Sequence, residues 1–212
     1  MGHVPHVCVL PPWNGDELTP PDAAAHHLTT VLRLDEGARL SYTDGSGRCG
    51  EGVWTGAHIA RGAELTVPPP VALVIAVAPP RPRDRQRFLV EKLAEMGVAE
   101  LVWLVSENGQ GRPPQAEKAS AWATAALEQS RGAYLMTVAG PSRWHDLDRP
   151  LAVAVPGAEA RIPAGATTVA IGPEGGFSDP EIPGDATAFA LGGPILRVET
   201  AAIVTAALVL LS

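Results

Sequence analysis

From Val71 onward, short and uniformly apolar runs alternate with helix-forming stretches, and this rhythm constrains the fold more than any other feature of the 212-residue chain. "VALVIAVA" precedes "RDRQRFLVEKLAEMG", a helix ending at Gly97, and "ELVWLVS" precedes the long helix "QAEKASAWATAALEQSRG". Then come "LAVAVP", "TTVAIGPEGG", "AFALGG" and a final helix from about Glu199. Strands covered on both faces read as continuous apolar runs, and such runs separated by helices are the pattern of a mainly parallel sheet between helical layers. The expected class is α/β. Ahead of this region Pro68, Pro69 and Pro70 lack the amide donors that sheets and helices need, and suit a stiff linker. The chain is therefore divided into residues 1–69 and 70–212. In the first part, "HVCVL", "ARLSYTDGSGR", "GEGVWTGA" and "AELTVP" are short β-prone pieces, with Asp44-Gly45 as a hairpin turn. They predict a small barrel-like β domain. Only "PPDAAAHHLTTVLRL" looks helical there, with Asp22 as its cap.

With 46% hydrophobic residues the chain can bury a substantial core. Its formal net charge of −7 argues against a protein that coats itself with nucleic acid, because such binding is driven by phosphate neutralisation. Any contact with nucleic acid must be local. Cys8 and Cys49 have neither zinc spacing nor a disulfide framework around them, so they are expected to be reduced thiols in a cytoplasmic protein. Adjacent His26 and His27 are not at helical ligand spacing, and no metal is expected. The N-terminal "MGHVPHVCVLPPW" lacks a basic region followed by a long apolar core, and the apolar run from Ala201 to Leu211 is shorter than the ~20 residues that cross a bilayer. No membrane association is expected.

Two bends poor in side chains, Gly172 to Gly176 and Gly192-Gly193, follow the apolar runs "TTVAI" and "AFAL". In open α/β sheets ligands bind beyond the carboxyl ends of strands, and glycine allows backbone to approach a ligand closely. The pair suggests a ligand held by main chain. Neither common nucleotide fingerprint is present, which argues against a nicotinamide or ATP site. Taken alone, "GPEGG" also reads as a tight turn with an exposed glutamate. "SDPE" reads as a capping box in which Glu181 reaches back to Ser178, opening a helix that Pro183 and Gly184 cut short. "RPRDRQR" places Arg81, Arg83, Arg85 and Arg87 within one short segment. They form either a phosphate grip or a solvated face paired with Glu91 and Glu95.

"IGPEGGFSDPEI" together with "LGGPILRVETAA" resembles the RsmE family, SPOUT-class methyltransferases that modify N3 of a uridine in 16S ribosomal RNA. "DAAAHHLTTVLRL" and "YTDGSG" look like that family's N-terminal PUA-like, RNA-binding barrel; "FLVEKLAEMGV" and "LEQSRGA" look like its first two SPOUT helices. The resemblance implies a SPOUT domain whose C-terminal segment forms a trefoil knot, a homodimer with the knotted regions packed together, and S-adenosylmethionine as cofactor. By the same resemblance Val155, Pro156, Ile171, Gly172, Pro173, Glu174, Gly175, Gly176, Leu191, Gly192, Gly193, Ile195 and Leu196 would hold the cofactor. Arg197 and Glu199, with Glu174, are the candidate catalytic residues. Their structural alternatives are an Arg197–Glu199 ion pair organising the last helix and a turn carboxylate at Glu174. Arg33 and Arg131 match positions facing RNA or the pocket and join the four clustered arginines as candidate RNA contacts. Valine at Gly175 or Gly193 is expected to abolish cofactor binding by filling the space the ligand needs.

The chain departs from the family pattern at Asn108, where an arginine is typical, and at Pro194, where a basic residue is frequent. Its N-terminus is less basic, and the loop from Pro156 to Ala166 and the helix after Ser178 are short. Two alternatives therefore stand beside methylation of small-subunit ribosomal RNA: the same fold with another RNA substrate, or a non-catalytic RNA-binding protein.

Overall fold

The computed structural model describes residues 4–211. Its contacts divide the chain into two compact units, residues up to Pro69 together with Leu127–Leu135, and Pro70–Ala126 together with the chain from Met136 onward.

The first unit is a curled mixed sheet of β1 (His6–Cys8), β2 (Glu17–Leu18), β3 (Arg39–Thr43), β4 (Arg48–Trp54) and β5 (Ile59–Thr66), in the order β1-β3-β4-β5-β2. β1 runs parallel to β3 and the other pairs are antiparallel. Alternate side chains point inward, as strand geometry requires, so Leu40 and Tyr42 of β3 meet Trp54, Ile59, Val7 and Leu28 in one core. The β3–β4 connection differs from a two-residue hairpin. It spans Asp44 to Gly47, and Asp44 Oδ1 accepts the amides of Ser46 (2.7 Å) and Arg48 (3.0 Å), an aspartate-stabilised turn. The helical stretch also differs from expectation. α1 covers only Asp22–His26 before the backbone widens into a π-turn over His27–Val31. Pro21 occupies the cap position with no side-chain hydrogen bond, and Asp22 is the first helical residue, where its charge suits the positive end of the helix dipole.

The second unit is a six-stranded sheet built from β6 (Val74–Val77), β7 (Glu100–Leu104), β8 (Thr137–Ser142), β9 (Leu151–Ala154), β10 (Thr168–Ile171) and β11 (Thr187–Phe189). The order is β11-β9-β10-β6-β7-β8 and every pair is parallel. The apolar runs are buried as expected: Ile75, Leu101, Val153, Val169 and Phe189 are fully inaccessible. Each such side chain contributes about 1.5–3 kcal/mol relative to exposure. α2 (Arg83–Glu95) and α3 (Ala116–Ser130) follow β6 and β7, and α4 (Val198–Leu210) packs on α2 and against β6 and β10. α4 starts one residue earlier than expected, with Arg197 at its cap. β8 was not expected, and its burial pattern, half-exposed along its length, explains the weak signal.

Residues from Leu127 to Leu135 belong with the first unit although they follow α2 and β7 in sequence. Glu128 accepts the Cys8 amide at 3.0 Å, the Thr43 hydroxyl donates to Ala133 O at 3.1 Å, and the Tyr134 hydroxyl donates to Val67 O at 2.7 Å. Among the described residues no helix is long and apolar enough to cross a membrane.

Candidate cofactor site

β11, β9 and β10 are neighbours, and because they are parallel their carboxyl ends lie side by side. The chain leaving them, Ala154–Gly157, Ile171–Gly176 and Phe189–Leu196, joins Val198 and Ala201 of α4 to line a cavity of about 410 Å³. That lies within the size range of small-molecule sites, and the place follows the rule for open α/β sheets. All thirteen residues expected at a cofactor site, from Val155 and Pro156 through Gly172–Gly176 to Ile195 and Leu196, line this cavity. Ala154, Gly157, Phe189, Ala190, Pro194, Val198 and Ala201 also line it and were not expected. Their signal was adjacency, since each neighbours or lies near an expected residue.

The walls are held by main chain. The Val155 amide donates to Phe189 O at 2.8 Å, and the Gly176 amide closes a turn on Pro173 O at 2.8 Å. Gly192 and Gly193 have φ of +77° and +72°, and a Cβ built on either meets nothing within 4 Å. Left-handed backbone beside open space explains glycine at both. Gly175 differs. Its φ is not left-handed and its missing side chain faces Asn108, whose Cβ lies 3.5 Å from a Cβ built there, so the space argument made for valine at Gly175 does not carry over. Asn108, singled out earlier only as a departure, donates from Nδ2 to Gly176 O at 3.1 Å and so braces the first bend.

The polar groups are arranged otherwise than the sequence suggested. Glu199 is buried and pairs with Arg85 (Oε1 to Nε, 3.6 Å), while its Oε2 has no hydrogen-bond partner. Glu174, exposed on the bend, lies 3.8 Å from the same guanidinium. Arg197 is exposed and forms no ion pair among the described residues, so the alternative of an Arg197–Glu199 pair is not realised. Glu174 lines the cavity; Arg197 and Glu199 flank it on α4, next to the lining residues Leu196 and Val198.

The six arginines expected to contact RNA have different surroundings. Arg87 pairs with Glu91 at 2.6 Å, as one alternative had it, and Glu95 pairs with Lys92 instead. Arg131 donates to Val4 O at 2.6 Å. Arg33, Arg81 and Arg83 are exposed with no ion pair or hydrogen bond among the described residues.

The "SDPE" box forms as expected. Glu181 accepts the Ser178 amide at 2.9 Å, and only a single 3₁₀ turn, Asp179–Glu181, follows. Burial pushes the Glu181 carboxyl up, but hydrogen bonds from the Ser178 amide, Ser106, Trp144 and the Ser178 hydroxyl together hold it below its ordinary value. The Ser178 hydroxyl also donates to Glu107 at 2.6 Å, fastening the loop after β10 to the loop after β7.

Both cysteines are free, and burial, then the nearby Glu128 and Asp44, push the Cys8 thiol up to about 12, which leaves it inert as a nucleophile. Among the described residues no group of three His, Cys, Asp or Glu side chains could hold a metal ion.

The fold resembles that of a candidate methyltransferase from Legionella pneumophila solved with bound SAM: 23% identity, 98% of this chain and 97% of that one covered, TM-score 0.85. It also resembles the ribosomal RNA small subunit methyltransferase E of Neisseria gonorrhoeae, solved with S-adenosyl methionine (22% identity, 97% and 96% covered, TM-score 0.85). A candidate rRNA methyltransferase from Porphyromonas gingivalis is 28% identical over 96% of this chain and 95% of its own, with a TM-score of 0.80. No curated protein sequence matches. Residues 67–210, most of the chain and the whole of the cavity lining, match the RNA methyltransferase domain, and the protein belongs to that family.

Proposed function

We propose that this protein uses S-adenosylmethionine to methylate N3 of a uridine in small-subunit ribosomal RNA, acting as a homodimer whose C-terminal segment is knotted. Family membership supports methyl transfer to RNA, and the observation that carries the rest is the glycine-walled cavity at the ends of β9, β10 and β11. The cofactor fits what is present: apolar surface from Phe189, Leu191, Ile195 and Leu196, open backbone at Gly192 and Gly193, and carboxylates beside an otherwise uncharged lining. When bound, it supplies a methyl group on a sulfonium leaving group.

The chain's own residues then have three tasks. Backbone of the two bends and the apolar lining hold the donor, and orienting two reactants is worth up to ~7–11 kcal/mol for ideal placement. A base must take the N3 proton; Glu174, exposed on the bend and lining the cavity, is the accessible carboxylate, while Glu199 Oε2 is free of hydrogen bonds but buried, and would serve only if the start of α4 opened. Arg197, exposed and unpaired beside the second bend, is suited to stabilise the negative charge that develops on uracil. Of the six arginines expected to contact RNA, Arg33, Arg81 and Arg83 have no ion pair or hydrogen bond among the described residues and are suited to phosphates. α4 supports a dimer, since from Ala201 to Leu210 it carries no charged side chain, yet Leu208 remains 52% exposed.

Two measurements test the proposal. Calorimetry with S-adenosylmethionine is expected to give micromolar or tighter binding, and no detectable heat would remove the enzymatic readings and leave a non-catalytic RNA-binding protein. Mass analysis of ribosomal RNA from a deletion strain is expected to lack one N3-methyluridine of the small subunit. An unchanged small-subunit profile with a methyl group missing elsewhere would move the substrate to another RNA, an alternative that Asn108 and Pro194 already motivate.

A further inference from the structure

Arg85 was grouped with its neighbours as a phosphate contact, but its surroundings assign it other work. Its side chain is 31% exposed, half the exposure of Arg87 at 60%, because it turns back toward the first turn of α4 and the first glycine bend. There Nε lies 3.6 Å from Glu199 Oε1 and Nη1 lies 3.8 Å from Glu174 Oε1. Both separations exceed hydrogen-bond length, so the guanidinium is shared between two carboxylates and committed to neither. Glu199 is 7% exposed with one oxygen lacking any partner, and a charge so buried is tolerated only beside a compensating one. Among the described residues Arg85 is the cation that supplies it. Removing it would set two carboxylates against each other where the Gly172–Gly176 bend meets the start of α4, and both segments line the cavity.

We propose that Arg85 is a positioning residue of the cofactor site: shared by Glu199 and Glu174, it ties α4 and the first bend to α2 and sets affinity for the methyl donor, and it does not grip RNA. This rests on the S-adenosylmethionine reading above. Because both contacts are longer than hydrogen bonds, what Arg85 supplies is positive charge between the two acids, and lysine, a point charge, keeps it. Arg81 and Arg83, with no acidic partner, keep the phosphate role.

The test uses the full chain and two probes, S-adenosylmethionine by calorimetry and an oligouridine by fluorescence anisotropy across a salt series. Arg85→Gln is expected to weaken S-adenosylmethionine about tenfold or more, with Arg85→Lys restoring it to within about threefold of the parent. Oligouridine affinity and its salt slope stay as in the parent. Glu174→Gln, at an exposed position, weakens the cofactor less, and adding it to Arg85→Gln causes no further loss, the sign of coupling. If Arg85→Gln does not fold, Arg85→Gln with Glu199→Gln takes its place: no two carboxylates are then opposed, but the tie from α2 to α4 and the bend is still lost, and cofactor affinity falls by about threefold or more. Unchanged cofactor affinity in whichever variant folds overturns the proposal, as does a salt slope reduced by about one phosphate contact. If the parent itself fails to bind S-adenosylmethionine, the functional reading fails first. The inference about Arg85 is then judged separately, by whether its effect on thermal stability is coupled to those of Glu174 and Glu199.

Discussion

Alanine placed at Gly193 and at Gly175 should have opposite consequences, although the two glycines look equivalent in sequence. At Gly193 φ is +72° and an added Cβ meets nothing within 4 Å, so the whole cost is backbone strain. Left-handed conformation costs an L-residue with a Cβ about 1–2 kcal/mol. At 1.4 kcal/mol per factor of ten, that corresponds to a loss of about 5- to 30-fold in an equilibrium constant. The strain weakens cofactor binding if the free bend relaxes to negative φ and must be restored on binding. It lowers the melting temperature if the bend stays as it is. At Gly175 φ is not left-handed, and the new methyl would rest 3.5 Å from Asn108 Cβ, an ordinary contact. Gly175→Ala is therefore expected to stay within about 0.5 kcal/mol of the parent, the range of substitutions that meet no clash and no strain. Calorimetric titration with S-adenosylmethionine, paired with thermal melts, separates the two routes. Gly193→Ala matching the parent in both affinity and melting temperature would refute the reasoning, and so would Gly175→Ala losing as much as Gly193→Ala.

Glu64 accepts hydrogen bonds from Arg61 (2.8 Å), the Tyr42 hydroxyl (2.9 Å) and Arg48 (2.7 Å), and these, Arg61 first, hold its carboxyl at about 2, against an ordinary 4.5. A depressed carboxylate contributes stability above its unfolded value and loses it as pH falls toward the folded one, here between about 4.5 and about 2. At 1.36 kcal/mol per pH unit the contribution is at most about 3 kcal/mol. Glu64→Gln should accordingly raise hydrogen exchange in β3–β5 at pH 7 and converge with the parent near pH 2; a pH-independent difference would contradict it. A Cβ at Gly111 would overlap Pro79 O and lie 2.8 Å from Pro80 C, backbone atoms that cannot yield, so Gly111→Ala should cost about 3 kcal/mol or more. An unchanged melting temperature would show that the two loops do not pass so closely. Leu208→Glu, at an exposed position of α4, should convert a dimer to a monomer in light scattering while the fold persists in circular dichroism; a dimer unaffected by the charge places the interface elsewhere.

The α/β class and the place of the cavity were legible because they follow from local rules. A strand buried on both faces is largely apolar, as Val74–Val77 and Val169–Ile171 are, and left-handed backbone favours glycine, as at Gly192 and Gly193. Edge strand β8 was illegible for the converse reason, since Gly140 and Pro141 interrupt it and its residues are only partly buried. What tertiary structure alone decided is which distant residues meet. Arg85, in the first turn of α2, reaches Glu174 on the bend after β10 and Glu199 in the first turn of α4, Asn108 braces Gly176, and residues 127–135 pack with the first unit. Period and propensity describe neighbours along the chain, whereas the pairing of these groups is set by strand order, which places residues far apart in sequence within a few ångströms.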